Sequence, residues 1–267
     1  MSMLLHTVLL LHCMGVRGLV VCGLNLPSAR LSPASRALDE ARPETFPYSA
    51  TDLTPTSAGR DWAFYIIPKF VQHAGDESRA ALTSFYEVAL PSPGGAVLDL
   101  CSSWTSHYPK DVRLGRCTAL GLNPVELAAN PSKTDWVVHD LNSDPTLPFE
   151  DESFDCVTNA LSVDYLTSPL EVFSDIARVL RPGGIACMAF TNRCFPGKVV
   201  PVWTRPFTEA HHAEIVGNCA ACRPRTLCTH GTGSLPEYCD FAASPLSLSR
   251  VLRFSFLIAG MGGNWSC

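Results

Sequence analysis

Three short polar stretches of this chain have the residue types of a small-molecule site, and each directly follows an apolar run. The first is Asp99 with Cys101, Ser102, Ser103 and Trp104; the second is Gly121 to Asn123; the third is Asp140 with Leu141. Carboxylates and amides at such positions hydrogen-bond ligand hydroxyls and amines, and serine hydroxyls do so at close range. Glycine would add close backbone approach and positive φ, yet the turn after Asp99 contains none. The G-x-G-x-x-G of dinucleotide sites is missing too, which disfavours a dinucleotide-dependent oxidoreductase. Each stretch also has a plainer use. Asp99 can cap a turn, Asn123 is a good helix N-cap, and Asp140 suits an Asx-turn.

Other reactive side chains are less well placed. Tyr165 and His107 are possible general acids or bases, but no catalytic residue is assigned. Asp155 suits the turn into a strand. Arg193 and Lys198 could meet an anionic acceptor, and Trp104 could floor or plug a pocket. His211 and His212 are adjacent and so do not share a helix face. Cys219 and Cys222 form a C-x-x-C with no second pair at zinc spacing, so no metal site is expected.

The elements that must position these residues alternate. Residues 76–90 have helical apolar spacing in Ala80, Ala81, Leu82, Phe85, Val88 and Ala89, with Asp76 and Glu77 at the start and Pro91 as the stop. Strands are expected at 96–100, 117–120, 136–139, 154–160 and 185–190. A helix should open at Asn123-Pro124, with Asn123 as N-cap and Glu126 completing a capping box. Another spans 169–180 with Val172, Phe173, Ile176, Val179 and Leu180 inward, ended by Arg181-Pro182-Gly183-Gly184. Residues 207–217 look helical. Strand–helix alternation with near-continuous apolar strands implies an α/β fold, a Rossmann-like doubly wound, mostly parallel sheet with helices on both faces. Such sheets bind ligands beyond the carboxyl ends of their strands, where the three polar stretches converge.

The chain has 267 residues, 46% hydrophobic content and a formal charge of −5. That supports one sizeable domain and argues against nucleic acid as partner. Cys101, Cys117, Cys156 and Cys187 lie in or beside strands, as buried free thiols do. Residues 1–55 read as a leader. An apolar run at 3–24 is broken by His6, His12 and Arg17, so a stable membrane span is not expected. A Ser-, Ala- and Arg-rich stretch at 25–43 follows, which suggests plastid or other organelle import, with a cytoplasmic or secretory location as alternatives. The main domain is placed at 56–217, and 218–267 as a divergent tail. In the tail only Val251–Gly260 has strand character, so 218–245 is expected to be poorly ordered and the sheet one strand short.

The run "LPFEDESFDCVTNALSVDYLTSPLEVFSDIARVLRPGGIACMAF" at 147–190 resembles class I S-adenosylmethionine-dependent methyltransferases of the type-11 group. "DLCSSWTSHYP", "GLNPVELAANP", "HDLNSDPTLPF" and "FTNRCFPGKVVPVW" are similar to a plant, algal and bacterial branch with a serine-rich first turn. The resemblance covers about residues 70–217. It implies that Asp99 and Cys101–Ser103 hold the methionine end of S-adenosyl-L-methionine. It gives Asn123 the ribose hydroxyls, Asp140 with Leu141 the adenine, and Asn159, Ala160 and Ser162 the reaction side, with Gly121 also at the cofactor. Two departures stand out: the turn lacks glycine, and Asn123 replaces a carboxylate. The implied function is methyl transfer to an unidentified small molecule. The alternative is a non-catalytic Rossmann-like binding or scaffold protein that has lost cofactor affinity.

Overall fold

The structure, a computed structural model, describes residues 19–23, 46–57, 59, 61–191, 193–205, 209–221 and 256–259. Five parallel strands form its centre: β2 (Ala96–Leu100), β3 (Arg116–Gly121), β4 (Asp135–Val138), β5 (Phe154–Ala160) and β6 (Leu180–Thr191), in the order β4-β3-β2-β5-β6. Two short strands extend the β6 side. β1 (Leu19–Gly23) lies antiparallel to β6, with Leu19 opposite Thr191, and β7 (Phe256–Ala259) lies antiparallel to β1.

The strands sort their side chains between two cores by the period of two. Leu98 and Leu100 of β2, Val157 of β5, and Ala186, Met188 and Phe190 of β6 face one core. Val97, Cys156, Cys187 and Ala189 face the other. Helix α5 (Pro169–Val179) covers the first core with Val172, Phe173, Ile176 and Val179, the inward face its spacing predicts. Each such side chain contributes about 1.5–3 kcal/mol by burial. Helix α6 (Glu209–Ala221) adds Ala213, Ile215, Val216 and Cys219 to the same face. Helix α3 (Asp76–Ala89) covers the second core through Leu82 and Tyr86. Helices thus lie on both faces of a doubly wound sheet, as expected. Short helices α1 (Ala50–Leu53), α2 (Asp61–Tyr65) and α4 (Pro124–Ala129) are the other α-helices among the described residues.

Several expectations change in detail. Val88 points outward, because α3 turns Ser78, Leu82 and Tyr86 inward at i, i+4, i+8. Strand β6 begins at Leu180, since Leu180 pairs with Phe154 and a register shift before Cys156 takes in the Arg-Pro-Gly-Gly stretch. Strand β4 is an exposed edge. The expectation of a sheet one strand short is corrected. β7 does fall within 251–260, and the second outer strand comes from Leu19–Gly23, a segment the sequence reading set aside as leader. Of 218–245, residues 218–221 are helical and the rest lie outside the described residues. No described helix is long and apolar enough to cross a membrane.

Candidate functional site

A cavity of about 370 Å³ opens at the carboxyl ends of the parallel strands. Its walls come from the turn after β2 (Cys101, Ser102, Ser103), the end of β3 (Leu120 to Asn123) and the loop after β4 (His139 to Asn142). The stretches after β5 (Leu161, Ser162, Tyr165, Leu166) and at the end of β6 (Thr191, Arg193, Cys194, Phe195) line it as well. Residues Asp61, Tyr65, Lys69, Gln72 and His73 close it from the amino-terminal side. The volume is in the usual range for small-molecule pockets.

The glycine-free turn is held by hydroxyl groups. Ser102 Oγ and Ser106 Oγ each donate to Asp99 Oδ2 at 2.6 Å, and Thr158 Oγ1 donates to Asp99 Oδ1 at 2.9 Å. With Thr158 committed as donor, the Tyr108 hydroxyl donates to it in turn at 2.6 Å. Asn130 Nδ2 reaches Ser103 O at 2.9 Å and Ser106 Oγ at 2.8 Å. The conformational freedom a glycine would supply is taken elsewhere. Cys101 adopts the left-handed region at φ 53, and Gly121 lets the Ser102 carbonyl sit where a Cβ would lie only 2.2 Å away. Leu161, after β5, also takes positive φ, at 60.

Of the residues expected at the site, Cys101, Ser102, Ser103, Gly121, Asn123, Asp140, Leu141 and Ser162 line the cavity. Asp99, Asn159 and Ala160 do not. Asp99 is buried beneath the turn, and burial raises its pKa despite three hydroxyl donors. Its place is structural: it fastens the turn from below. Asn159 is buried, its Oδ1 without a partner among the described residues. Trp104 neither floors nor plugs the cavity but meets Phe70 edge-on at 6.1 Å. Asp140 makes the Asx-turn, accepting from Asn142 N at 3.0 Å and Ser143 Oγ at 2.8 Å.

Asn123 caps α4, its Oδ1 accepting from Val125 N and Glu126 N. Glu126 does not return to close a capping box. Its Oε1 accepts from Lys69 N at 2.6 Å and its Oε2 from Ser103 Oγ at 2.5 Å. Lys198 stays away from the cavity and binds Asp61 Oδ1 at 2.9 Å, whereas Arg193 lines it. Asp155 fixes a strand start, accepting from Ala96 N at 2.8 Å and pairing with Arg181. His212 stacks on Trp203 at 4.1 Å between centroids.

Sequence reasoning missed the whole amino-terminal wall and Glu126. Residues 59 and 61–73 form a strap across the mouth. Asn142 Nδ2 donates to Asp61 Oδ2 at 2.7 Å, and Asn123 Nδ2 donates to Tyr65 O at 2.8 Å. Phe195 anchors an aromatic wall, with Phe64 at 5.3 Å, His73 at 5.5 Å and Tyr165 at 6.0 Å. Burial raises the phenol pKa values of Tyr65 and Tyr165 and lowers that of His73. The Cys101 thiol is pushed up to about 12 by burial, which removes it as a nucleophile near neutral pH. His107, lowered to about 4 by burial, does not line the cavity.

A group with an adenine, a ribose and an amino-acid end fits these walls in chemistry. Backbone and hydroxyls stand at the serine turn, a glycine at close approach at Gly121, and an Asp-Leu pair beyond β4. No cluster of metal-ligating residues occurs among the described residues.

Residues 101–188, from the serine turn into β6, match the family described as a methyltransferase domain. The chain is similar to the demethylmenaquinone methyltransferase of Staphylococcus haemolyticus, 32% identical over 39% of this chain and 46% of that protein. It is also similar to the ubiquinone/menaquinone biosynthesis C-methyltransferase of Roseobacter denitrificans, 39% identical over 35% of this chain and 41% of that one. The chain thus spans less than half the length of these curated relatives. Among solved structures, an S-adenosylmethionine-dependent methyltransferase from Mesorhizobium loti aligns at 21% identity with a TM-score of 0.32, over 38% of this chain and 49% of that one.

Proposed function

We propose that this chain, whose residues 101–188 match the methyltransferase-domain family, is a class I S-adenosylmethionine-dependent methyltransferase that transfers a methyl group to a small molecule. The observation that carries the reading is the convergence of the turn after β2, Gly121 and Asp140-Leu141 on one cavity at the carboxyl ends of the sheet. Bound S-adenosylmethionine would supply an activated, electrophilic methyl group. The chain's part is to bind and orient. The serine turn would hold the methionine end, with Asp99 fastening it from below, and Asp140 with Leu141 the adenine.

The acceptor side is the aromatic wall of Tyr65, Tyr165 and Phe195, with Arg193 beside it. Such a wall suits a planar, largely apolar acceptor carrying a polar or anionic group. The names of the curated relatives refer to demethylmenaquinone and to ubiquinone and menaquinone biosynthesis, which agrees with that class. Tyr65 and Tyr165, held neutral by burial, serve as hydrogen-bond donors and not as bases. A nucleophilic acceptor held in line with the methyl group needs little proton transfer, so positioning can supply most of the rate.

The test is calorimetric titration of the full chain with S-adenosylhomocysteine. Saturable 1:1 binding is expected. No heat at millimolar ligand, with circular dichroism reporting an intact fold, would rule the reading out.

A further inference from the structure

We propose that Glu126, and not Asn123, is the group that takes the two ribose hydroxyls of the cofactor; the assignment rests on the S-adenosylmethionine reading above. Position in sequence points to Asn123, the residue just beyond β3. Its amide is fully committed in the structure. Oδ1 accepts from Val125 N at 2.9 Å and Glu126 N at 3.2 Å, and Nδ2 donates to Tyr65 O at 2.8 Å and Ile66 O at 3.3 Å. A side-chain amide has two N–H groups and two lone pairs, so nothing is left for a ligand. Binding a diol would cost Asn123 either its helix cap or its hold on the strap.

Glu126 lies three residues on, in the first turn of α4, and lines the same cavity as Ser102, Ser103, Gly121 and Asp140. Its carboxylate is buried but not saturated. Lys69 N occupies one site on Oε1 and Ser103 Oγ one site on Oε2. Each oxygen therefore keeps a lone pair, and the two together present adjacent acceptors on one planar group. That is the chemistry a pair of neighbouring hydroxyl donors requires, and the one an amide cannot offer. The serine turn contributes directly: the Ser103 hydroxyl stands where a glycine would carry no side chain, and it orients Oε2. The carboxylate absent at position 123 is thus supplied one helical turn later.

The experiment is calorimetric titration of the full chain with S-adenosylhomocysteine and with its 2′-deoxy and 3′-deoxy analogues. The unmodified chain should bind each deoxy analogue about tenfold or more weakly than the parent, as expected for losing a hydrogen bond to a charged acceptor. Glu126→Gln should weaken the parent ligand by a similar factor and reduce the discrimination to about twofold. Asn123→Ser, which keeps a capping hydroxyl, should retain the discrimination in full, so the assignment stays testable even where Glu126→Gln fails to fold. Equal binding of parent and deoxy ligands by the unmodified chain would overturn the assignment and leave the cofactor reading intact. So would full discrimination in Glu126→Gln, or its loss in Asn123→Ser. No binding of S-adenosylhomocysteine at all would overturn the cofactor reading and this assignment with it.

Discussion

Two buried aspartates of this chain are handled in opposite ways. Asp99 has a hydroxyl donor on Oδ1 and two on Oδ2, and its neighbours form a continuous network from Tyr108 through Thr158. Asp164, in the short turn after β5, is equally buried, but its Oδ2 has no partner among the described residues, and burial raises its pKa to about 8 against the lowering by its own backbone N–H and the Tyr165 hydroxyl. The folded chain therefore holds a proton on Asp164 at neutral pH, whereas the unfolded chain releases it near pH ~3.9. Stability from this group is fully present below about pH 4 and is lost as pH rises through 8, because the native state binds the extra proton across that window. Each pH unit inside the window is worth about 1.4 kcal/mol. We expect Asp164→Asn to remove this dependence. Between pH 5 and 8 the melting temperature of the unmodified chain should fall by several degrees more than that of the variant. Parallel curves from differential scanning calorimetry would show that the carboxyl is solvated or paired in solution.

The element that shapes the cavity most is the one with least regular structure. The strap at 59 and 61–73 contains, among these described residues, only the five-residue α2 and exposes Ile66, Ile67, Phe70 and Val71. Side chains from distant parts of the chain hold it in place: Lys198 on Gly59 O and Asp61, Asn142 on Asp61, Asn123 on Tyr65 O, and Glu126 on Lys69 N. The Lys198–Asp61 pair is largely buried, with 6% and 18% of the side chains exposed, so removing one partner leaves an uncompensated charge at a cost of about 3–5 kcal/mol. Lys198→Met should release the strap. Brief chymotrypsin treatment should then cut near Trp62 and Phe64 much faster than in the unmodified chain, with 96–190 surviving in both. Equal cleavage would mean that the other three anchors suffice. The same bonds explain what could be read from sequence. Strands β2, β3 and β5, helix α5 and the Asn123 cap follow from apolar runs and from partners a few residues apart. The strap depends on partners 57 to 139 residues away, and Glu126 on Lys69, 57 residues away, and Ser103, 23 away, which no local period encodes. Glu126 was legible only as half of a capping box, because three residues after an N-cap is where such a carboxylate belongs.

At the scale of the whole sheet, the first and last described strands, β1 and β7, meet on one side. β6 has β5 on one edge and β1 on the other, and among the described residues β7 pairs with the sheet only through β1, in the order β6-β1-β7. Reading residues 1–55 as a removable leader and pairing Leu19–Gly23 with Cys187–Thr191 therefore make opposite demands. A chain cut after residue 24 would lose β1, the strand that both covers β6 and holds β7, leaving a long, apolar edge open. Unpaired edges of that kind template association with further copies. The net contribution of each lost ladder bond is modest, about 0.5–1.5 kcal/mol, but the edge runs beside the buried Cys187, Met188, Ala189 and Phe190. We expect a chain beginning at residue 25 to melt several degrees lower than the full chain and to self-associate with rising concentration. Differential scanning fluorimetry paired with light scattering at two concentrations would measure both. A shortened chain that stays monomeric and melts at the same temperature would show that the sheet closes without β1, and would favour the leader reading of the first 55 residues.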